Sequence, residues 1–553
     1  MWAVVREPCD ESVIRGRPAA TPCSKARGRW ILAATILASS MAFIDSTVVN
    51  VALPALQTNL HANAVDMQWV VEAYSLLLSA LLMIGGSLGD HYGRRRIFLI
   101  GVAVFATASA ACGFAADIGQ LIAARALQGL GAALLVPGSL SIISSSFPEK
   151  ERGRAIGTWS GFSAITTGIG PVIGGWLVEH VSWRAVFFIN LPLALAVIVI
   201  SLRHVVEISD RDANRVDWPG AILAALGLGS LVYGLLESSR LGFGDRSVVI
   251  VLAAGVFLLA LFLFVESRLT QPMLPLGLFR SSTFAGANLL TFFLYAALGG
   301  TLFFLPLNLI QVQGYSATAA GAALLPFILI ISFLSRWSGG LVTRYGPKLP
   351  LIAGPLIAAV GFGLFILPNV GGSYWKNFFP PIVVLGLGMA ISVAPLTTVV
   401  MGSAAHRLAG LASGVNNAIA RSAGLLAIAV LGIVMLHLFG ASLEARAAQL
   451  NLPKEVTESL QAQQTDLAAI SIPDTPNPKT RALIRHAIDE SFITGFRSVM
   501  AIGAFLALAS ALTSVLLIRG PVARALSGSA SGDSFASPER VDAPPTAPGD
   551  RHV

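Results

Sequence analysis

Charged side chains are scarce in this sequence. Asp, Glu, Lys and Arg make up 12% of its 553 residues, whereas 55% are hydrophobic. Soluble domains carry about 25% charged residues. The mean hydropathy of +0.74 points the same way. The composition therefore excludes an ordinary soluble protein and indicates a chain that crosses a membrane many times.

Cysteine is also scarce, and we expect no cleavable leader. Cys9 and Cys23 precede the first apolar run and Cys112 lies inside another, so we expect no structural disulfide. Residues 1–29 contain no apolar core and do not resemble a cleavable signal. We expect the first membrane helix to serve as the targeting signal.

Several functional motifs are missing as well. The chain has no G-x-x-x-x-G-K-[S/T] loop, which argues against a primary pump in one chain. Its eight histidines are scattered, which argues against an embedded enzyme and gives no metal or cofactor site. The net charge of +8 comes from Lys and Arg in short loops, so we expect no nucleic-acid partner. These absences favour a transporter that is not an enzyme.

Apolar runs long enough to cross a bilayer, about twenty residues each, fill most of the chain. Fourteen are predicted, at 30–53, 68–88, 97–115, 121–143, 155–178, 185–203, 218–236, 247–266, 283–306, 317–338, 349–368, 378–400, 409–437 and 498–518. The tail 519–553, rich in Ser, Pro, Ala and Asp from Ser527 onward, is predicted to be disordered. The pattern predicts an all-α membrane protein with fourteen transmembrane helices.

Basic residues in the short loops predict the orientation. The loops after even-numbered spans hold Arg94, Arg95, Arg96, Lys150, Arg152, Arg154, Arg203, Arg211, Arg215, Arg268, Arg280, Arg344, Lys348 and Arg407. The short loops after odd-numbered spans hold Arg184, Arg240, Arg246 and Lys376. Because Lys and Arg concentrate on the cytoplasmic side, both termini are predicted to be cytoplasmic.

An internal repeat predicts the architecture. Gly86-Ser-Leu-Gly-Asp90-His-Tyr92-Gly93-Arg94-Arg95 follows span two, and Gly339-Gly-Leu-Val-Thr343-Arg-Tyr345-Gly346-Pro347-Lys348 follows span ten. Matching loops of two six-helix bundles would be six spans apart, not eight. The two additional spans indicate an inserted helix pair, which we identify as spans seven and eight.

The repeat divides the chain into five parts. They are an N-terminal tail 1–29, a first six-helix bundle 30–203, a linker 204–282 with the inserted pair, a second six-helix bundle 283–518, and the tail 519–553. The second bundle includes a predicted external loop, 438–497, which we expect to form a small cap without assigned chemistry.

Six motifs resemble a known family. They are Asp45 to Pro54, Gly86 to Arg96, Leu121 to Ala133, Gly161 to Gly175, Trp183 to Pro192, and Ser413 to Arg421. Together they resemble the major facilitator superfamily, and within it the fourteen-span drug:proton antiporters of the EmrB/QacA type. The resemblance covers nearly all of 30–519 and implies the major facilitator fold, two six-helix bundles plus an inserted pair.

The stretch Gly161 to Gly175 resembles the antiporter motif of span five through Gly161, Gly170, Pro171, Gly174 and Gly175. Pro171 removes one intrahelical hydrogen bond, and in a membrane a neighbouring helix or water must satisfy the freed carbonyl. We expect a bent, closely packed helix that acts as a hinge or seal between the halves. The alternative is a packing element without a gating role.

Three ionisable residues in apolar runs are candidates for proton coupling. Asp45 lies well inside span one, where a carboxylate costs about 2.5 to 3.5 kcal/mol, so it must be protonated or paired. Arg125 in span four keeps its charge, and the resemblance implies that it modulates proton binding at Asp45. Glu72 in span two is either a further proton or cation site or a partly solvated carboxylate near the interface.

The remaining candidates concern gating and substrate. The resemblance implies that Gly86, Asp90, Gly93, Arg94 and Arg95 form a gate that locks the halves in the outward-open state. Thr343 replaces Asp90 in the second copy, so the lock would be one-sided. Candidate substrate contacts are Asn50, Tyr295, Asn417 and Arg421, with packing as the alternative for Arg421.

The expected function is a proton-coupled multidrug exporter of a bacterial cytoplasmic (inner) membrane. Its substrates would be amphipathic small molecules, with cationic ones suited to acidic cavity sites, and the proton gradient would replace a bound cofactor. The alternatives are a dedicated exporter of one metabolite or antibiotic, and a proton-coupled importer. A periplasmic adaptor and an outer-membrane channel are candidate partners.

Overall fold

The computed structural model describes residues 25–209, 216–404, 409–450, 452–472 and 478–518. Within these ranges the regular structure is helical throughout, without a strand. Helices satisfy their own backbone hydrogen bonds, which is what a bilayer requires of lipid-exposed segments. The predicted all-α membrane class is confirmed.

The first half and the inserted pair follow the predicted order. The helices are α1 Lys25–Asn59, α2 Ala64–Tyr92, α3 Arg94–Phe114, α4 Ile118–Ser146, α5 Glu149–His180, α6 Ala185–Phe188, α7 Asn190–His204, α8 Trp218–Leu241 and α9 Arg246–Arg268. Helices α6 and α7 together make one membrane span, Ala185–His204. Helices α8 and α9 pack on each other, and α8 also contacts α2 and α17.

The second half is more segmented. Its helices are α10 Ser282–Leu307, α11 Ala317–Ala323, α12 Leu325–Gly339, α13 Leu341–Tyr345, α14 Lys348–Leu364, α15 Tyr374–Asn377, α16 Phe379–Gly402, α17 Ala409–Gln449, α18 Lys454–Ala462 and α19 Pro478–Leu517. A π-helical turn, Asn308–Val312, extends α10. Two 3₁₀ helices, Leu276–Arg280 and Gln464–Ala469, lie in the connections.

Thirteen helical segments of the described chain are long and apolar enough to span a membrane. The other predicted span, 349–368, coincides with α14, an apolar helix of 17 residues. It packs between α16 and α19. The order of the predicted spans is therefore found, with one of them shorter than the rest.

The predicted external loop 438–497 is mostly helix among its described residues. Helix α17 has 41 residues and α19 has 40, about 60 Å each at 1.5 Å per residue. Both continue well past a hydrocarbon core of about 30 Å. Each apolar run ends at the first polar residues, whereas the backbone hydrogen bonds of the helix continue beyond it. Helix α18 and the 3₁₀ turn are the parts of the predicted cap that lie outside α17 and α19.

The signature segment is also not a loop. Helix α2 ends at Tyr92, α3 begins at Arg94, and Gly93 alone separates them with φ 107°. In the second copy α13 ends at Tyr345, and Gly346 has φ 75°. Both glycines adopt a conformation that L side chains rarely allow, so the Tyr-Gly repeat marks the same kind of tight turn.

The two halves meet along α5, which packs against α11 and α12, and along α2, which packs against α17. We call the end of the molecule that holds Asn59, His180 and Ser316 the sealed end. The opposite end, which holds Arg94 and Arg154, is the basic end. Most of the predicted basic loops belong to the basic end.

The backbone at Gly93 is held by a carboxylate. Glu207 accepts hydrogen bonds from the backbone N–H groups of Arg95 and Arg96, both at 3.1 Å, at the start of α3. The N–H of Arg94 donates to the Ile208 carbonyl at 2.9 Å. A Cβ at Gly93 would lie 2.5 Å from this carboxylate, so space and backbone conformation both require glycine.

We predict that Gly93→Ala lowers the thermal unfolding midpoint in detergent, with a destabilisation of about 1 to 3 kcal/mol from the strained backbone. Gly157→Ala is the matched control, because a Cβ there meets no atom within 4 Å and alanine favours a helix interior. An equal drop in both variants would contradict the prediction.

Candidate functional site

Asp45 and Arg125 form an ion pair inside the first half. Asp45 on α1 is 0% exposed and Arg125 on α4 is 1% exposed. Nη1 of Arg125 donates to Oδ2 of Asp45, and its Nε donates to the Val70 carbonyl at 3.0 Å. The expected proximity of span one to Arg125 is therefore found, while its role in coupling stays a prediction.

A polar shell completes the pair. Gln128 accepts from Arg125 Nη1 at 2.7 Å and donates from Nε2 to Asp45 Oδ1 at 2.8 Å. Asn190 on α7 donates to the same oxygen at 3.4 Å and to Ser109 Oγ at 3.0 Å. Buried charges need hydrogen-bonding partners of this kind. Removing one partner of such a pair lowers the free energy of unfolding by about 3 to 5 kcal/mol.

Tyr74 on α2 covers the pair. The Arg125 guanidinium lies 4.3 Å from the centre of the Tyr74 ring, and the phenol donates to the Ala42 carbonyl at 3.3 Å. These contacts bring α1, α2 and α4 together at the ion pair.

Glu72 is not near the solvent, so the partly solvated alternative was wrong. Its side chain is 0% exposed, and neither carboxyl oxygen has a hydrogen-bond partner among the described residues. One turn away, Gln68 donates to the Ile428 carbonyl of α17 at 2.9 Å. A carboxyl group buried without a partner favours its protonated, uncharged form.

The signature residues bond within the first half in this structure. Arg94 Nε donates to Asp90 Oδ1 at 2.8 Å, and Ser141 of α4 donates to the same oxygen at 3.3 Å. Arg95 donates to the Val205 carbonyl at 3.1 Å, and Gly86 lies against Pro137. The gate between the halves stays a prediction about the other conformation. The side chain of Thr343 lies outside the described residues.

The antiporter motif lies in α5, which stays helical through Pro171. The carbonyl left without a donor by this proline is that of Thr167, and Thr47 Oγ1 of α1 donates to it at 3.4 Å. A Cβ at Gly170 would overlap Thr47, and one at Gly174 would overlap Val48. This face of the motif packs α5 tightly against α1 of its own half.

The other face of the motif contacts the second half. A Cβ at Gly175 would overlap the carbonyl of Ala317, and one at Gly321 would overlap the carbonyl of Pro171. At the end of α5, Glu179 accepts from the hydroxyl of Thr318 at 2.6 Å and from its N–H at 3.3 Å. Two backbones therefore touch where α5 crosses α11, as small residues permit in membranes.

The 3₁₀ turn Gln464–Ala469 adds to the contacts at the sealed end. Gln57 of α1 donates to the Asp466 carbonyl at 3.0 Å, and Gln311 donates to Gln57 Oε1 at 2.9 Å. Arg485 of α19 donates to the carbonyls of Gln311 and Ala468. Burial, and to a lesser degree Asp66, raises the pKa of Asp466. These bonds join both halves.

Several glycines toward the basic end are loosely surrounded. Built Cβ atoms at Gly157 and Gly161 of α5, Gly402 of α16 and Gly414 of α17 meet nothing within 4 Å. On α5, Phe162 is 50% exposed. Of the antiporter motif, Gly161 thus faces open space, while Gly170, Gly174 and Gly175 are closely packed.

The candidate substrate residues are only partly brought together. Tyr295 on α10 and Arg421 on α17 are half-buried on two helices that pack against each other. Asn417, one turn from Arg421, is exposed and bonds to the Ser413 carbonyl at 3.0 Å. Asn50 is half-buried, and its side-chain oxygen has no partner among the described residues.

Several residues around the buried Asp45–Arg125 pair were not predicted as site residues. They are Tyr74, Ser109, Gln128 and Asn190. A polar residue inside an apolar run was the available signal for Ser109, Gln128 and Asn190, because such residues need a partner in a membrane. The sequence could not say which partner, since the four come from four different helices.

Comparison with known proteins agrees with this architecture. The family described as "Major Facilitator Superfamily" matches residues 35–428. Two solved structures share the fold at low identity. A bacterial homologue of the human lysosomal transporter Spinster, inward-facing and unoccupied, has TM-score 0.64 and 19% identity, covering 91% of this chain and all of that one. The inward open xylose transporter XylE from E. coli has TM-score 0.55 and 14% identity, covering 90% and 98%.

Similar proteins extend along most of the chain. The tetracenomycin C resistance and export protein of Streptomyces glaucescens is 36% identical over 89% of this chain and 92% of its own length. The multidrug resistance protein Stp of Mycobacterium tuberculosis is 35% identical over 84% and 87%. The expected major facilitator fold is confirmed, and this chain belongs to the Major Facilitator Superfamily.

Proposed function

We propose that the protein is an efflux transporter for drugs or antibiotics, of the fourteen-span EmrB/QacA type. The observation that carries the proposal is a fully buried, ionisable pair, Asp45–Arg125, in the first of two halves that pack against each other at one end. Relatives named for export or multidrug resistance support the substrate class. The family and fold are those of a transporter rather than an enzyme.

Proton exchange would supply the energy. Asp45 would take up a proton when the site faces outward and release it when the site faces the cytosol. A membrane potential contributes about 2.3 kcal/mol per charge per 100 mV, so one or two protons drive a useful gradient without a bound cofactor. Both termini and the basic end would lie on the cytoplasmic side of the inner membrane.

Everted vesicles test the proposal directly. The uptake of a panel of dyes and antibiotics into these vesicles is measured with and without a proton gradient. Accumulation that collapses with the gradient supports proton exchange, and accumulation that survives collapse contradicts it. A single accepted compound would indicate a dedicated exporter, and transport in the opposite direction an importer. Activity without any added periplasmic adaptor would show that the chain works alone.

Asp45→Asn is expected to abolish most gradient-driven efflux, because an amide neither binds nor releases the proton. Asp117→Asn is the matched control: it removes the same charge at the start of α4, where asparagine caps a helix equally well. The measurement is dye efflux per unit of inserted protein. Retained gradient-driven efflux in Asp45→Asn would contradict the proton site.

Arg125→Lys is expected to move the pH profile of efflux to higher pH. Lysine keeps the charge but cannot reach the Val70 carbonyl and Asp45 together, as the guanidinium does through Nε and Nη1. The carboxylate is then less well stabilised and takes up a proton at higher pH. An unchanged profile, recorded over a pH series in vesicles, would count against the role of Arg125.

Gly175→Ala is expected to impair efflux more than membrane insertion. The added methyl group would overlap the Ala317 carbonyl and hold the sealed end open. Gly157→Ala adds the same methyl group to the same helix in open space and should leave transport near the parent level. Insertion is measured by immunoblot of membranes. Equal loss of insertion and efflux at Gly175 would make the motif a packing element.

A further inference from the structure

Two acidic side chains of the inserted pair lie close together, and the proposed transport mechanism does not use them. Asp217 precedes α8, and Glu266 lies in the last turn of α9 with 2% of its surface exposed. Oδ2 of Asp217 and Oε1 of Glu266 each lie 2.5 Å from the position that a Cβ at Gly220 would take. At most twice that distance, 5 Å, therefore separates the two oxygens.

Both carboxyl groups hold the segment that leaves α9. The N–H of Met273 donates to Asp217 Oδ2 at 3.2 Å, and the N–H of Leu274 donates to Glu266 Oε2 at 2.9 Å. Asp217 Oδ1 also accepts from the N–H of Gly220 at 2.9 Å and so caps α8. Residues 269–281, which we call the connector, lead from α9 to α10, the first helix of the second half. One side chain at each inserted helix thus fixes the connector.

One oxygen of this arrangement has no hydrogen-bond donor. Glu266 Oε1 is buried and without a partner among the described residues, and it is the oxygen that lies near Asp217 Oδ2. Two ionised carboxylates this close in a desolvated site would repel each other. A proton on Glu266 Oε1 removes one of the two charges and provides an O–H group that can donate to Asp217. Carboxyl groups that share a site retain one proton for this reason.

The basic side chains of the described residues do not compensate the two carboxyl groups. No ion pair joins Asp217 or Glu266 to any of them. Arg268 is exposed, and its guanidinium lies 5.2 Å from the centre of the Phe264 ring. The other charged residue of the connector is Arg280.

Other charged groups belong to the helices that pack against α8. Glu237 and Arg240 pair with each other at the far end of α8 itself. Helices α2 and α17 also pack against α8, and their ionisable Asp, Glu, His and Arg residues are Asp66, Glu72, Asp90, His91, Arg421, His437, Glu444 and Arg446. None of these bonds to the two carboxyl groups. Arg215 precedes α8 in the sequence and lies outside the described residues.

We propose that Asp217 and Glu266 share one proton and form a pH-sensitive latch that holds the connector against the inserted pair. This inference does not rest on the proposed proton site at Asp45. In the held state the two carboxyl groups keep a proton, whereas in the released state both are solvated and ionise above about pH 4. The held state therefore binds more protons, and a rise in pH favours release of the connector.

The position of the latch gives it a consequence for the whole molecule. The far end of α8 reaches the sealed end, where Ser238 and Gln464 line one cavity, so the latch lies at the opposite, basic end. Helix α8 packs against α2 of the first half and α17 of the second. The connector is the covalent link from this inserted pair to the second half. Its release would make the attachment of the second half respond to pH at the basic end.

A spin label on the connector reports the latch. Thr270→Cys places a nitroxide at an exposed position, in a full-length chain with Cys9→Ser and Cys23→Ser. Cys112 is buried and stays. Label mobility is recorded by continuous-wave electron paramagnetic resonance in lipid nanodiscs with EDTA. The series runs from about pH 5 to about pH 10, between the titrations of exposed carboxyl groups and of lysine.

The label in the parent is expected to be restrained at low pH and mobile at high pH. Glu266→Gln should stay restrained throughout, because an amide still accepts from Leu274 and donates to Asp217 without titrating. Asp217→Asn, which still caps α8, should also lose the transition. Glu266→Ala, which removes the acceptor, should be mobile at every pH. Glu237→Gln makes the same change at the far end of α8 and should keep the parental midpoint.

Four results overturn the inference. The first is a parent without a transition, and the second is a parental transition in both Glu266→Gln and Asp217→Asn. The third is a midpoint that moves when EDTA is replaced by Mg²⁺ or Ca²⁺, which would assign the two carboxyl groups to a bound cation. The fourth is a mobile label at every pH in Arg215→Gln, which would mean that an arginine rather than a proton compensates them.

Asp45→Asn separates the latch from the proposed function. The transition should persist in this variant, because the latch lies in the inserted pair. Its loss there would assign the pH response to Asp45 and overturn the inference. Efflux that ignores the proton gradient, with the transition present in the parent and absent in Glu266→Gln, would refute the proposed function alone.

Discussion

The constraint on which the first half depends is the compensation of charge inside an apolar bundle. Asp45 and Arg125 are fully buried, and neither could remain there unpaired at acceptable cost. Their remaining hydrogen-bonding groups are satisfied by Gln128, Asn190 and the Val70 carbonyl. Helices α1, α2, α4 and α7 are thereby fixed around one point. A proton that neutralises Asp45 changes the balance at that point, which is why a buried pair is well suited to energy coupling.

Close packing of small residues holds the two halves together. Lipid is as apolar as most side chains, so association of membrane helices depends on close fit and interhelical hydrogen bonds. At the crossing of α5 and α11, Gly175 and Gly321 let the backbones touch, and Glu179 binds Thr318 beside them. The same helix uses Gly170 and Gly174 against α1. One helix therefore contacts both the half that holds the ion pair and the other half.

The buried ion pair and the antiporter motif are connected through α1. Asp45 and Thr47 are two residues apart on this helix. The Asp45 carboxylate pairs with Arg125, and the Thr47 hydroxyl donates to the Thr167 carbonyl, which Pro171 leaves without a backbone donor. A change in charge at Asp45 thus acts on the helix that packs against the antiporter motif.

The sequence determined the class, the order of the spans and the identity of the buried charges, because a bilayer accepts only long apolar helices and makes every interior charge conspicuous. It also pointed to the Tyr-Gly turns at Gly93 and Gly346. It could not place helix ends, since α17 and α19 continue past their apolar runs, nor foresee that Glu72 is buried without a partner. Which side chains meet was decided by tertiary structure alone: Asn190 reaches Asp45 across 145 positions of the chain, and Gln68 donates to the Ile428 carbonyl of the other half. Hydropathy depends on the local sequence, whereas these contacts depend on how distant helices pack.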